Sequence, residues 1–223
     1  MISWSHNIIQ IMDTEAQILE SLSDIDFTSE EMSDVVFSGQ DLSNKRLNDS
    51  NFDGIDFSGT NLTEANLSYE SSFKNANFTE ADLTNADLSG SSSYSYGVIS
   101  SNFEGANFTS AVLTNADLSY GSNFAGADFT KANLSDADLG GAYSYSYGYG
   151  SVTGSNFDRA NFNEANLSKA DLSYGSSFAG ADFTKANLTE ADLSGSYSSS
   201  YGLITSNFEG ADFTKANLTD ADL

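Results

Sequence analysis

From Leu22 to Leu223 one large apolar residue, Phe or Leu and once Met32, returns at every fifth position, interrupted only at a few joins. A period of five matches neither the helical 3.6 nor the strand period of 2. A unit this short buries one large side chain and cannot close a core by itself. Its copies must therefore stack, each covering the next, as a solenoid. A short extended piece followed by a tight turn, repeated without end, satisfies the period.

The apolar residues also carry a longer rhythm. From Phe52 they read Phe-Phe-Leu-Leu seven times, in blocks that start at Phe52, Phe73, Phe103, Phe124, Phe157, Phe178 and Phe208. Four units per coil explain this, because Phe then stacks on Phe and Leu on Leu in the coil above, and ring stacking adds to the packing of each Phe column. We number these units sides one to four. The same phase runs through Leu22, Phe27, Met32, Phe37, Leu42 and Leu47, with the accompanying Ala positions degraded, as a worn first coil and a half. At a strand spacing of ~4.8 Å the rod would be on the order of 40 Å long.

The unit itself is Ala-(Asn/Asp)-(Leu/Phe)-(Ser/Thr)-X, as in Ala81-Asp82-Leu83-Thr84-Asn85 and Ala86-Asp87-Leu88-Ser89-Gly90. On these residues the chain resembles the pentapeptide-repeat family over most of its length. The resemblance implies an all-β, right-handed, four-sided β-helix with the small residue and the central Leu or Phe turned inward. It also implies a functional alternative, since some members imitate duplex DNA, bind DNA gyrase or another type II topoisomerase, and protect it from quinolones. Those members carry a C-terminal helix after the last coil, which this chain does not.

Residues 1–21 differ from the repeats: Ile8, Ile9, Ile11, Met12, Ala16, Ile18 and Leu19 recur at near-helical spacing. This predicts an N-terminal helical cap over the first open coil, followed by one repeat domain over 22–223. No basic segment precedes the apolar stretch, and Asp13 and Glu15 interrupt it, so a signal peptide is not expected. No transmembrane run is present, and a cytoplasmic location is the default expectation. The pattern stops at Leu223 without a cap; exposed strand edges there predict either that the chain is a piece of a longer array or that it stacks end to end with another subunit.

The joins between blocks alternate in length. Steps of six residues (67 to 73, 118 to 124, 172 to 178) alternate with steps of 15, 18 and 15 (88 to 103, 139 to 157, 193 to 208). One extra residue reads as a swollen corner. The long joins, near 89–101, 140–155 and 194–206, read as extruded Tyr/Ser/Gly loops or as degraded repeats centred on Val98 and Leu203. Their unequal length favours loops. Every Tyr lies in or beside a join: Tyr69, Tyr120 and Tyr174 at the short ones, and Tyr94, Tyr96, Tyr143, Tyr145, Tyr147, Tyr149, Tyr197 and Tyr201 in the long ones. All joins follow side four, so they should line one edge of the rod. Tyr supplies rigid contact area and Ser and Gly supply adaptability, a mixture suited to binding. Tyrosines that fold back over the corner are the competing arrangement.

Charge adds a second candidate surface. The formal net charge is −24, with 32 acidic and 8 basic residues, which excludes tracking of nucleic-acid phosphates. On side four the residue before Leu is Asp87, Asp117, Asp138, Asp171, Asp192 and Asp222, whereas on side one it is Asn or Ser. That predicts an acidic stripe bordering the Tyr edge, where mutual repulsion raises carboxyl pKa values or gathers cations. Keeping the rod soluble would also explain it.

Catalysis finds no constellation. There is no Cys, the one His is His6 in the expected cap, and no nucleophile elbow or phosphate loop occurs. Carboxylates on a convex rod make no cleft that separates an acid from a base. The chain is read as a non-enzymatic binding or structural module without cofactor or metal. Residues 49–55 resemble the start of a calcium loop, but Thr60 stands where a bidentate Glu is needed. The Asn-X-Ser/Thr triplets follow from the repeat. The outward column Thr79, Thr109, Thr130, Thr184, Thr214 is broken by Ser58 and Asn163, against the regular arrays of ice-binding β-helices.

Overall fold

The computed structural model describes residues 37–48, 50–93, 97–146, 149–198 and 202–223. The expected helical cap, with Leu22, Phe27 and Met32, lies outside them, and the described residues contain no helix.

Each side of the solenoid is built by one pentapeptide, and the third and fourth sides at Leu83 and Leu88 show how. The Leu88 N–H donates to the Asp117 carbonyl of the next coil at 2.7 Å, while the Asp87 N–H donates to Ala65 of the previous coil at 2.9 Å. The backbone is thus satisfied between coils rather than within one. At the corner the Ala86 N–H returns to the Leu83 carbonyl at 3.0 Å, with Asn85 between them at φ 58°. This is a type II turn, whose third residue must be left-handed. The Asp82 carboxylate accepts the Thr84 N–H at 3.0 Å. The family's Asn/Asp position therefore serves local geometry: a short side chain with an acceptor caps an amide that the turn leaves free.

Parallel pairing repeats at four positions per coil. Ser72, Asn77, Asp82 and Asp87 pair with Asn102, Asn107, Val112 and Asp117 respectively, and the same columns continue to Asp222. The solenoid and its four sides are therefore as the repeat predicted.

The core is two columns of Phe beside two of Leu. On side one Phe103 stacks on Phe124 with centroids 4.8 Å apart and planes 4° from parallel; on side two Phe108 and Phe129 do the same at 4.8 Å and 3°. Between the two columns the rings tilt, as at Phe103 and Phe108, 6.1 Å apart at 50°. Each fully buried ring contributes roughly 1.5–3 kcal/mol by leaving water. Stacking extends into the worn coil, where Phe37 lies over Phe57 at 5.0 Å and 15°. There Thr60 replaces the inward Ala, and its hydroxyl donates to the Phe37 carbonyl at 2.8 Å. At the C-terminal end Leu193, Phe208, Phe213, Leu218 and Leu223 line an apolar hollow of about 300 Å³.

The long joins are antiparallel β-hairpins. β1 (Ser91–Ser93) pairs with β2 (Gly97–Ile99), β3 (Ala142–Ser146) with β4 (Tyr149–Thr153), and β5 (Ser196–Ser198) with β6 (Gly202–Ile204). Val98 lies opposite Ser92 and Leu203 opposite Tyr197, so neither is the centre of a coil side.

Candidate binding edge

All the joins are inserted at the corner between side four and side one, and its chemistry differs from that of the other three. At an ordinary corner the carbonyl of the central residue accepts the N–H three residues on. After Leu88 that third residue is Ser91, already in β1, and after Leu118 it is Gly121 in a short join. Both of these orphaned carbonyls find another donor. Two residues before each side-one Phe stands a serine: Ser50, Ser71, Ser101, Ser122, Ser155, Ser176 and Ser206. From the coil of Phe73 onward the other three sides hold Ala there. The Ser122 hydroxyl donates to the Leu88 carbonyl at 2.9 Å and Ser155 to Leu118 at 2.9 Å; Ser71 makes the same bond to Leu47 at 3.0 Å, although no residue is inserted after Leu47. A buried carbonyl left unpaired costs about 1–3 kcal/mol, which is what the hydroxyls avoid. Sequence reading missed these residues, although a column of Ser where every other side has Ala is visible in the repeat.

Hairpins and short turns alternate up this edge. Successive hairpins are two coils apart, about 10 Å, the distance at which sheets pack face to face. A short turn fills the space at their roots: a β-carbon on Gly175 would meet Val152 Cγ1 at 3.0 Å and Ile204 Cγ2 at 3.2 Å, one from each neighbouring hairpin. Glycine at a hairpin's outbound root is enforced by the coil above. A β-carbon on Gly141 would land on the carbonyl oxygen of Tyr174, and one on Gly90 on that of Tyr120. Tyr69, Tyr120 and Tyr174 hold the left-handed corner position of the short turns, each at φ 62°. A bulky residue there is strained, by roughly 1–2 kcal/mol.

Tyr143 and Tyr145 lie on β3, Tyr149 on β4 and Tyr197 on β5, with Tyr143 paired to Val152 and Tyr197 to Leu203. Tyr94, Tyr96, Tyr147 and Tyr201 lie outside the described residues. Leu203, opposite Tyr197, is 68% exposed.

The acidic column is continuous. Asp87, Asp117, Asp138, Asp171, Asp192 and Asp222 pair in succession, below them Asn66 and then Arg46. Arg46 is the one cation of the chain's eight in this column. The first five carboxylates accept the N–H two residues on; Asp87 and Asp117 also accept the hydroxyls of Ser89 and Ser119, both at 2.6 Å. At Asp138 the corresponding residue is Gly140, which offers its N–H at 2.8 Å and no hydroxyl. The Asp138 carboxyl is pushed up to about 6 although part of the residue stays exposed. Desolvation is the main cause; the Gly140 bond opposes it, and repulsion from Asp117 and Asp171 adds to it. The structure thus brings the Asp column and the hairpin roots to one edge. Among the described residues no helix is long and apolar enough to cross a membrane.

Solved structures similar to this chain include two neighbours of different degrees of likeness. The structure of QnrB1, a plasmid-mediated fluoroquinolone resistance protein, in a trypsin-treated form, matches with a TM-score of 0.55 at 19% identity, covering 84% of each chain. HetL, a pentapeptide-repeat protein involved in heterocyst differentiation regulation from the cyanobacterium Nostoc sp. strain PCC 7120, is 28% identical over 82% of this chain and 78% of its own, with a TM-score of 0.36. No curated protein matches the chain significantly. The pentapeptide-repeat model matches in eight copies, over residues 31–68, 70–92, 99–121, 120–143, 151–173, 174–197 and 203–223. With its unit, its four sides and its inward Ala and Leu accounted for, the chain belongs to the pentapeptide-repeat family.

Proposed function

We propose that this protein is a non-enzymatic binding rod, whose β-helix presents the hairpin edge and its neighbouring Asp column to a protein partner. The observation that carries the reading is the return of a hairpin to the same corner in every second coil. Ordering an inserted residue costs roughly 1–2 kcal/mol of backbone entropy. A rod selected for stability alone gains nothing from such insertions. Their Tyr, Ser and Gly content suits contact with another protein, and the adjoining carboxylates favour a partner with a basic surface.

The test replaces Tyr143, Tyr145 and Tyr149 together with Ser and, in a second variant, Asp117, Asp138 and Asp171 with Asn. The tyrosine variant should melt as the parent does and the Asn variant no lower, and both should lose partners captured from the native source. Equal capture by parent and variants would defeat the edge as the working surface.

A second reading, imitation of duplex DNA toward gyrase, is favoured by the unbroken Asp column. Spacing is its weak point: one carboxylate per coil of ~4.8 Å is sparser than the one charge per ~3.4 Å of a single duplex strand. Supercoiling assays with and without a quinolone decide it. Inhibition or drug protection that disappears when the column is changed to Asn would put this reading first.

A further inference from the structure

We propose that four buried serines of the join corner, Ser101, Ser122, Ser155 and Ser176, are positioning residues that tie the first two hairpins and the short turns beside them into one mechanical unit. The bonds run from element to element. Within the first hairpin's root, the Ser101 hydroxyl donates to the Ser89 carbonyl at 3.1 Å. Ser122, in the short turn above, reaches back to Leu88 at the same root, 2.9 Å away. Ser155, at the return root of the second hairpin, grips that short turn twice: its hydroxyl donates to the Leu118 carbonyl at 2.9 Å and accepts the Gly121 N–H at 3.2 Å. The Ser155 N–H in turn donates to the Ser176 hydroxyl in the next short turn at 3.0 Å. Hairpin, turn, hairpin and turn are therefore linked in series by side-chain bonds, all on buried serines.

An ordinary corner needs no such linkage, because there the turn's own backbone bond closes locally and an Ala suffices. At the join corner the insertion removes the local partner, and the replacement donor comes from another element. Backbone bonds such as the Gly90 N–H to the Ser119 carbonyl at 3.1 Å already join root to turn, and the serine bonds add to what must break before a hairpin opens by itself. Linked, the edge keeps one relative geometry, which lowers the ordering cost when several hairpins contact one surface. The value for binding rests on the proposed function; the linkage itself does not.

Amide hydrogen exchange on the full chain tests it without any partner. Ala already occupies this position on the other sides, so Ser122→Ala fits sterically. Losing one hydrogen bond of ordinary strength corresponds to about fivefold faster opening. Ser122→Ala is expected to speed exchange by about that factor at the roots of both hairpins, near Gly90 and near Gly154, with amides such as Leu134 unchanged. Ser122→Thr, which keeps the hydroxyl and has a precedent in Thr60, should stay near parental rates. Acceleration confined to the first hairpin, acceleration spread evenly over all coils, or no acceleration would each overturn the linkage. Partner capture is not involved, so failure of the linkage and failure of the binding reading are separate results.

Discussion

The corner after side three and the corner after side four receive the same unit from the same repeat and solve it differently. After Leu83 the turn closes on itself, with Ala86 N–H on the Leu83 carbonyl and the Asp82 carboxylate on the Thr84 amide. After Leu88 the chain leaves as a hairpin, and Ser122 closes the Leu88 carbonyl from two coils on. A corner that is locally complete does not accommodate insertions, because its closing bond spans three residues. A corner completed by a neighbour does, because the closing hydroxyl does not depend on what lies between. The alternation of short turns with hairpins of different length at this single corner follows from that.

The comparison can be broken most severely at the shared core. Leu134→Asp places a charge among stacked Leu and Phe, where removal of the apolar group alone costs about 2–5 kcal/mol. Several neighbouring coils should unfold, and a thermal melt like the parent's would defeat the packing account. Next in size, Gly141→Ala should lower stability by about 1–3 kcal/mol, since its β-carbon meets the Tyr174 backbone. Unfolding by denaturant measures it, and an unchanged midpoint would mean that hairpin roots and short turns are not interlocked.

Smaller still is the effect of Asp138. Its folded-state carboxyl sits near 6 against an ordinary 3.8, so the folded chain holds this proton more tightly than the unfolded one. The contribution to stability is present below about 3.8 and is lost as pH rises through about 6. Asp138→Asn should therefore be more stable than the parent at pH 7.5 and lose that advantage at pH 3.5. Solvent screening of this partly exposed group keeps the gain below about 1 kcal/mol. Melts at the two pH values that show the same difference would remove the account of desolvation reinforced by repulsion. The smallest expected change in stability is from Tyr143, Tyr145 and Tyr149 to Ser together, where the core should melt as before; a lower melting temperature would mean that these tyrosines brace the corner instead of serving a partner.

Much of the architecture was legible because it is periodic. The Phe-Phe-Leu-Leu rhythm specifies four sides, and counting in fives places Asp87, Asp117 and Asp138 in one column and every join at one corner. The long joins were ambiguous between loops and worn repeats, since Val98 and Leu203 are apolar enough for either; antiparallel pairing with Ser92 and Tyr197 distinguishes them. The serine column escaped notice because Ser is as small as Ala, and smallness was the property the inward position required. The expected cap and half of the hairpin tyrosines fall outside the described residues.

The sequence by itself therefore determined the solenoid, its four-sided cross-section, the stacking of like on like and the single corner that carries the insertions, all consequences of a period that repeats without reference to distant residues. Only the tertiary structure decided which carbonyls the insertions orphan and which serine hydroxyls reach them, why Gly90 and Gly141 admit no β-carbon, and that desolvation at Asp138 pushes its carboxyl up to about 6. Each of those depends on a residue one or two coils away, at a distance along the chain that the joins make irregular. Such meetings are settled by how the coils stack, not by the unit being stacked.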